Sequence, residues 1–312
     1  MLVLKFKSIT DLMTAFPDED SCLDHLENIR WKDGITSPFD PESKVYKCKN
    51  HRYKCKNTGK YFNVKTNTLF EGTRIPLQKW FIATWMFLTH KKGVPSCQLA
   101  RDLGVTQKTA WFMLHRIRLC FSFENDSELD NEVEVDETFV GGKNKNRHRD
   151  KKVKKCQGRS FKDKTPVIGM IERGGKAVAK VIKDTSKESL TPVILNTVNT
   201  NAKLYSDEWM GYNRVKEIYD HDFVDHGKGI YVTGNVYTNT MEGFWSMIKR
   251  GIIGVYHYTS RKHLQKYVDE FVFRRNTRQM SPNDVFHYFL SNTDYRTTYK
   301  PVSYTHLTLP TN

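Results

Sequence analysis

What most constrains the fold of this chain is a change of hydrophobic period near residue 130. From Leu77 up to that point, apolar residues recur at helical spacing. Downstream, EVEVDETFV, PVIGMIER and AVAKVIK read as three successive strands. SLTPVILNTV then reads as a helix, AKLYSDE as a fourth strand and NTMEGFWSMIKRGI as a helix, and a long helix follows over roughly residues 261–275. Strands in succession, then strands alternating with helices, predict an α/β (α+β) domain on a mixed sheet.

Acidic residues punctuate this pattern. Asp136 lies inside the apolar strand VEVDETFV, where a carboxylate is costly unless it serves a ligand. Asp207 closes the strand AKLYSDE, and Glu242 falls in the first turn of NTMEGFWSMIKRG. Acids from separate segments are what two-metal phosphodiester chemistry needs, with ions held roughly 4 Å apart. Each also has an ordinary reading: a strand-edge residue, a helix cap, a favourable charge at a helix N-terminus. Glu137 and Glu208 are acidic neighbours, but strand alternation sends adjacent side chains to opposite faces, so one of each pair is expected to face the metals.

An acidic linker, FENDSELDNE, separates this domain from a helical region. There, LQKWFIATWMFLTH is apolar on several helical faces and is expected at the centre of a small bundle. In SCQLARDLGVTQKTAWFMLHRIRLCF one helix should end near Leu103. Gly104 should make the turn, and Thr106 should cap a second helix running to about Cys120. That is a helix-turn-helix layout, with Gln107, Lys108, Thr109 and Arg116 as candidate DNA contacts. Nearer the N-terminus, a short acidic helix precedes KVYKCKNHRYKCKNTGKYFNVKTNTLF, whose alternation predicts half-exposed β-hairpins.

Charge narrows the partner. Fifty Lys and Arg against 35 Asp and Glu give a net charge of +15, a field that attracts polyanions, with double-stranded DNA the expected one. The loop KNKNRHRDKKVKKCQGRSFKDKT offers Lys143 and Lys145 to a DNA backbone. No apolar run approaches the ~18 residues that span a bilayer, so no membrane role is expected. The N-terminus turns acidic too early for a secretory signal, and six scattered cysteines suit a reducing cytoplasm.

The stretches RWKDG, VDETFVGGK, GKAVAKVI, LYSDEWMGY, YTNTMEGFWSMIKRGIIGVYHY and KHLQKYVDEFVFRRN resemble the ISXO-like insertion-sequence transposases, whose catalytic domain is ribonuclease H-like and of the DDE type. The resemblance runs from about residue 10 to residue 295. It implies Asp136, Asp207 and Glu242 as catalytic metal ligands for two Mg²⁺, with Mn²⁺ as a substitute. Thirty-five residues separate Asp207 from Glu242, and Lys249 follows seven residues later, as in that family; Lys249 and Arg250 are expected near DNA. Relatives can carry Asn or His at the third position, which makes Asn239 its alternative.

Relatives also carry a zinc ribbon with two Cys-x-x-Cys knuckles. Here the first reads Ser37-Pro38-Phe39-Asp40 and the second Cys55-Lys56-Asn57-Thr58. Structural zinc is therefore not expected, with Phe39, Tyr46, Tyr53, Tyr61 and Phe62 forming a small aromatic core instead. A rearranged site from Cys22, His25, Cys48 and Cys55 is the alternative. The expected organisation is a degenerate ribbon-like domain over 1–75, a helix-turn-helix region over 76–123, a catalytic domain over 124–295, and a tail over 296–312 that reads as an artefact of read-through. The expected activity is binding of terminal inverted repeats, metal-dependent cleavage and strand transfer by at least a homodimer, in a bacterial cytoplasm at the nucleoid. An inactive DNA-binding regulator and a nuclease without strand transfer are the rivals.

Overall fold

The computed structural model describes residues 4–142, 148–154, 163–207, 209–224 and 238–294. The chain forms two compact units, Met1–Cys120 with the chain from Met280 onward, and Phe121–Gln279.

The first unit opens with α1 (Ile9–Ala15) and α2 (Glu19–Arg30), each started by a reciprocal capping box, from Ser8 and Asp18. The sequence reading gave one helix here; the second cap, Asp18 directly after Pro17, divides it. A three-stranded antiparallel sheet follows: β1 (Val45–Lys47), β2 (Tyr53–Cys55) and β3 (Tyr61–Phe62). Its inner face buries Tyr53, Cys55 and Phe62 against Trp31 and Val45. Phe39, Tyr46 and Tyr61 were expected in that core, but they are 38%, 44% and 51% exposed. Strand alternation explains the last two, since Tyr46 and Tyr61 share the opposite face of the sheet.

α3 (Leu77–Thr89) buries residues on all sides, among them Trp80, Phe81, Ala83, Trp85 and Phe87, as its all-round hydrophobicity predicts. α4 (Ser96–Leu103) ends at Gly104, whose φ of 60° suits a residue without Cβ. α5 (Gln107–Leu119) begins where the Thr106 hydroxyl accepts from the Thr109 amide, a cap worth about 1 kcal/mol.

The second unit is a five-stranded mixed sheet sandwiched between helices. Its elements are β4 (Glu132–Val140), β5 (Thr165–Glu172), β6 (Ala177–Val181), α6 (Lys187–Leu195), β7 (Lys203–Asp207), β8 (Asp220–Val224), α7 (Asn239–Gly251) and α8 (Leu264–Asn276). The strand order is β6-β5-β4-β7-β8, antiparallel through β4, β5 and β6 and parallel through β4, β7 and β8. This mixed α/β arrangement fits a ribonuclease H-like fold. β8 has no counterpart in the sequence reading, because Asp220, His221 and Asp222 give it little hydrophobic signal. Alternate residues of β5 feed two cores: Ile168 and Met170 pack with Leu190 and Ile194 of α6, while Val167 and Ile171 pack with α7 and α8. α9 (Pro282–Leu290), which the sequence groups with the catalytic domain, packs on α3 in the first unit. Among the described residues, no helix is long and apolar enough to cross a membrane.

Candidate metal centre and nucleic-acid surfaces

β4 pairs with β5 along nearly its whole length, from Val133 to Val140. Its pairing with β7 is shorter, covering only Glu132–Glu134 against Lys203–Tyr205. Beyond that point the two parallel strands carry no further register pairs, and their C-terminal ends border a cleft of about 530 Å³. Asp136, Glu137, Phe139, Asp184, Thr185, Ser186, Asp207 and Trp209 line it. Asp136, Glu137 and Asp207 each place a carboxylate oxygen within 4.8 Å of the others.

The presence of Glu137 corrects the expectation that alternation would keep one acid of the pair away. Alternation holds along β4: Val133 and Val135 enter the α6-side core, while Glu134 and Asp136 bond to α7. On the β7 side, however, pairing ends at Glu134, so no strand walls the two faces apart there and both acids reach the opening. Glu208, the other neighbour considered, lies outside the described residues.

Each acid is held from a different side. The Trp245 indole donates to Asp136 Oδ2 at 2.9 Å, and the Tyr212 hydroxyl donates to Glu137 Oε1 at 2.5 Å. The Trp209 amide donates to Asp207 Oδ1 at 3.0 Å. Burial and the charges of Glu137 and Asp136 hold the Tyr212 phenol well above its usual range, so it stays a donor. Asp184 accepts from the hydroxyls of Ser186 and Ser189 and from the Ser186 amide, which pulls its carboxyl down to about 2. Behind the cleft His221 contacts Ser206 Oγ through Nε2 at 2.8 Å, and burial pushes its imidazole down to about 4, leaving it neutral.

Glu242 is not in the carboxylate cluster. It is exposed in the first turn of α7, as are Asn239 at the start of that helix and Lys249 and Arg250 in its last turn. What ties this helix to the cleft is a residue the sequence reading passed over. Thr238 caps α7 without a side-chain bond. In its place the fully buried Glu134 carboxylate of β4 accepts from the Thr240 amide at 3.1 Å, the Met241 amide at 3.2 Å and the Thr240 hydroxyl at 3.0 Å. Arg173 completes the arrangement, with Nε 3.1 Å from Glu134 and Nη1 3.1 Å from Glu132. A carboxylate at a helix N-terminus satisfies otherwise orphaned amides and opposes the helix dipole. Gly169 on β5 allows the close approach: a Cβ there would lie 2.5 Å from Met241 Cε and 2.6 Å from the Trp245 ring.

The candidate DNA contacts divide. Gln107 and Lys108 are exposed and Thr109 half-exposed at the start of α5. Arg116 is only 4% exposed, donates to the Glu71 carbonyl at 2.9 Å and lies over the Trp80 and Phe112 rings. That burial makes it a packing residue rather than a DNA contact. Lys143 and Lys145 lie outside the described residues.

At the degenerate knuckles, hydrogen bonds tie the two turns together. Asn57 donates to Asp40 Oδ2 at 2.8 Å, and Ser37 and Asp40 form an isolated bridge. Burial opposes ionisation of Cys55, but donors from Ser37, Ser43 and Thr58 outweigh it and bring the thiol down to about 6. Among the described residues, the side chains close enough to share an ion are the Asp136 cluster and Asp24, Glu27 and His51, not the Cys22, His25, Cys48 and Cys55 set.

Residues 128–276 match the family model of the ISXO2-like transposase domain. A protein of Halobacterium salinarum, described as an uncharacterized protein in transposable element ISH50, is 26% identical over 274 residues, 84% of this chain and 92% of its own length. Two solved Mos1 assemblies also align. The strand transfer complex does so at 13% identity and a TM-score of 0.27, over 70% of this chain and 78% of its own. The pre-cleavage transpososome does so at 12% and 0.28, over 93% and 97%.

Proposed function

We propose that the chain is an insertion-sequence transposase of the ISXO2-like kind, a reading supported by the match over residues 128–276 and by the ISH50 relative, and that it cuts DNA at the ends of a mobile element and joins them to a target. One observation carries the reading: Asp136, Glu137 and Asp207 converge at the opening between β4 and β7. An all-oxygen carboxylate set suits hard divalent ions, which fits Mg²⁺ or Mn²⁺. Bound there, such ions supply the positive charge that activates the attacking oxygen and stabilises the leaving one.

In this reading Asp136 and Asp207 are ligands, oriented by Trp245 and the Trp209 amide. Glu242 joins them from α7, whose first turn Glu134 fastens to β4 two residues before Asp136. Glu137 competes for the third place, and its position in the cluster with Asp136 and Asp207 is the observation in its favour. Water attacks the phosphorus at the element end, one P–O bond forms and the bond to the 3′-oxygen breaks, freeing a 3′-hydroxyl. That hydroxyl then attacks a target phosphodiester, again one P–O bond for another, so no external energy source is needed. Gln107, Lys108 and Thr109 read or position the terminal repeats, Lys249 and Arg250 contact DNA beside the scissile phosphate, and pairing of two ends requires at least a homodimer.

The test uses labelled duplexes carrying the repeats found in the flanking genomic DNA, with wild type and Asp136→Ala. Metal-dependent cutting and joining by wild type alone is the expected result. Cutting without joining would point to a nuclease, and binding without cutting to a regulator.

A further inference from the structure

The three-stranded sheet of the first unit has one face in a core and the other in solvent, and the composition of the outer face is unusual. In register, Tyr46 of β1 lies opposite Lys54 of β2, which lies opposite Tyr61 of β3. Directly opposed residues share a face, so these three form one row across the sheet, a span of about 10 Å at the usual strand spacing. Tyr46 and Tyr61 are 44% and 51% exposed, among the largest exposed aromatics of the unit. Cations crowd the row. Arg52 lies 4.8 Å and Lys54 5.6 Å from the Tyr61 ring centre, and Lys44 lies 5.7 Å from that of Tyr46. From residue 43 to residue 65 the chain holds eight Lys and Arg and no Asp or Glu.

We infer that this outer face, carrying Lys44, Tyr46, Arg52, Lys54 and Tyr61, is a second DNA-binding surface, one that grips the phosphate backbone of duplex DNA without reading sequence. Charge complementarity selects the ligand class, since among the described residues no carboxylate pairs with these cations and two tyrosine hydroxyls add donors for phosphate oxygens. The ring geometry selects backbone over exposed bases. A stacking base would have to compete with cations for the rings, since Arg52 and Lys54 already lie over Tyr61 and Lys44 over Tyr46. The rings act as props that hold flexible cations in fixed positions and lower the entropy lost on binding. The inference rests on the transposase reading only in taking the DNA to be that of the mobile element; the surface itself follows from register and charge.

The experiment is a salt titration of binding by the full chain, followed by fluorescence anisotropy, on a duplex of arbitrary sequence and on one of its single strands. Replacing Lys44, Arg52 and Lys54 together by alanine removes three phosphate contacts. The slope of log K against log salt should fall by about 2.7, with at least roughly tenfold weaker binding at low salt. Tyr46→Ala with Tyr61→Ala should leave the slope unchanged and weaken binding by about 2–5-fold per ring, while the two Tyr→Phe changes keep the props and most of the affinity. All sites are solvent-facing, and unchanged thermal unfolding of each variant confirms that the sheet is intact. An unchanged slope in the triple variant overturns the surface, as does tyrosine-dependent binding that favours the single strand. No binding of any duplex by wild type overturns both the surface and the transposase reading. Weakened binding by the variants, from a wild type that never cuts element ends, leaves the surface standing and overturns the transposase reading alone.

Discussion

Glu134→Gln is the substitution that most sharply separates a built catalytic platform from a chance arrangement of acids. The native carboxylate is fully buried and receives four donors: Arg173 Nε and the Thr240 hydroxyl on one oxygen, the Thr240 and Met241 amides on the other. Glutamine keeps the shape but replaces one acceptor oxygen by a donor. In its better orientation the amide oxygen keeps the two backbone amides, the Thr240 hydroxyl turns to accept, and Arg173 loses this carboxylate while keeping Glu132. The loss is one charge-assisted bond and the neutralising charge beside a guanidinium whose side chain is 13% exposed, about 2–3 kcal/mol. Glu134→Ala orphans the amides as well and should cost about 3–5 kcal/mol. Urea unfolding reads the first quantity as a lowered midpoint at constant m. Metal-dependent cleavage reads the second consequence: the turn bearing Asn239 and Glu242 loses its anchor, so turnover should fall at least about tenfold for a misplaced group. Unfolding of Glu134→Gln within about 0.5 kcal/mol of wild type would refute the reasoning, because only surface changes are that mild.

Other consequences follow from the same geometry. Gly169→Ala forces a Cβ into Met241 and Trp245, and should destabilise the second unit by about 1–3 kcal/mol in urea unfolding while loosening the Trp245 bond to Asp136. Between Glu242→Gln and Glu137→Gln, the first should lose at least about 100-fold in cleavage and the second less than about tenfold, since Glu137 is committed to Tyr212; the reverse order assigns the third ligand to Glu137. His25 and His221 have imidazoles depressed to about 4 by burial, so the unfolded chain takes up protons first and stability falls as pH drops from about 6.5 towards 4. Asp269, raised by burial to about 6, works in the opposite sense over part of that range, and His221→Gln should flatten the net decline measured by urea midpoints against pH.

Much of the second unit was legible because its strands and helices carry strong periods. EVEVDETFV coincides with β4 residue for residue, and the turn at Gly104 and the cap at Thr106 fall where local chemistry put them. β8 was not legible, since a strand held by pairing with β7 and by Lys203 bonds to Asp220 and Asp222 leaves no apolar pattern. Asp136 and Asp207 meet as their strand positions suggested. Alternation sends Glu137 to the side of Tyr212 and Asp136 to that of Trp245, but it does not say that the gap where β4 and β7 separate brings both acids to one cleft. Glu134 was hidden for a related reason: period places it beside Asp136, but only tertiary structure says that a helix N-terminus and Arg173 wait there. Arg116 misled because α5 is buried from Met113 through Arg118, leaving no outward face for a basic residue.

The central claim is that Asp136 and Asp207 hold the ions that cut DNA, and a metal-specificity switch at Asp207 tests it most directly. Asp207→Cys exchanges a hard oxygen ligand for a soft sulfur at the same place in the cleft. The account predicts that this variant folds, binds element ends as wild type does and fails to cut in Mg²⁺, with cutting restored by the more thiophilic Mn²⁺. Full activity in Mg²⁺, or failure in both ions with DNA binding intact, would contradict a metal ligand at this position.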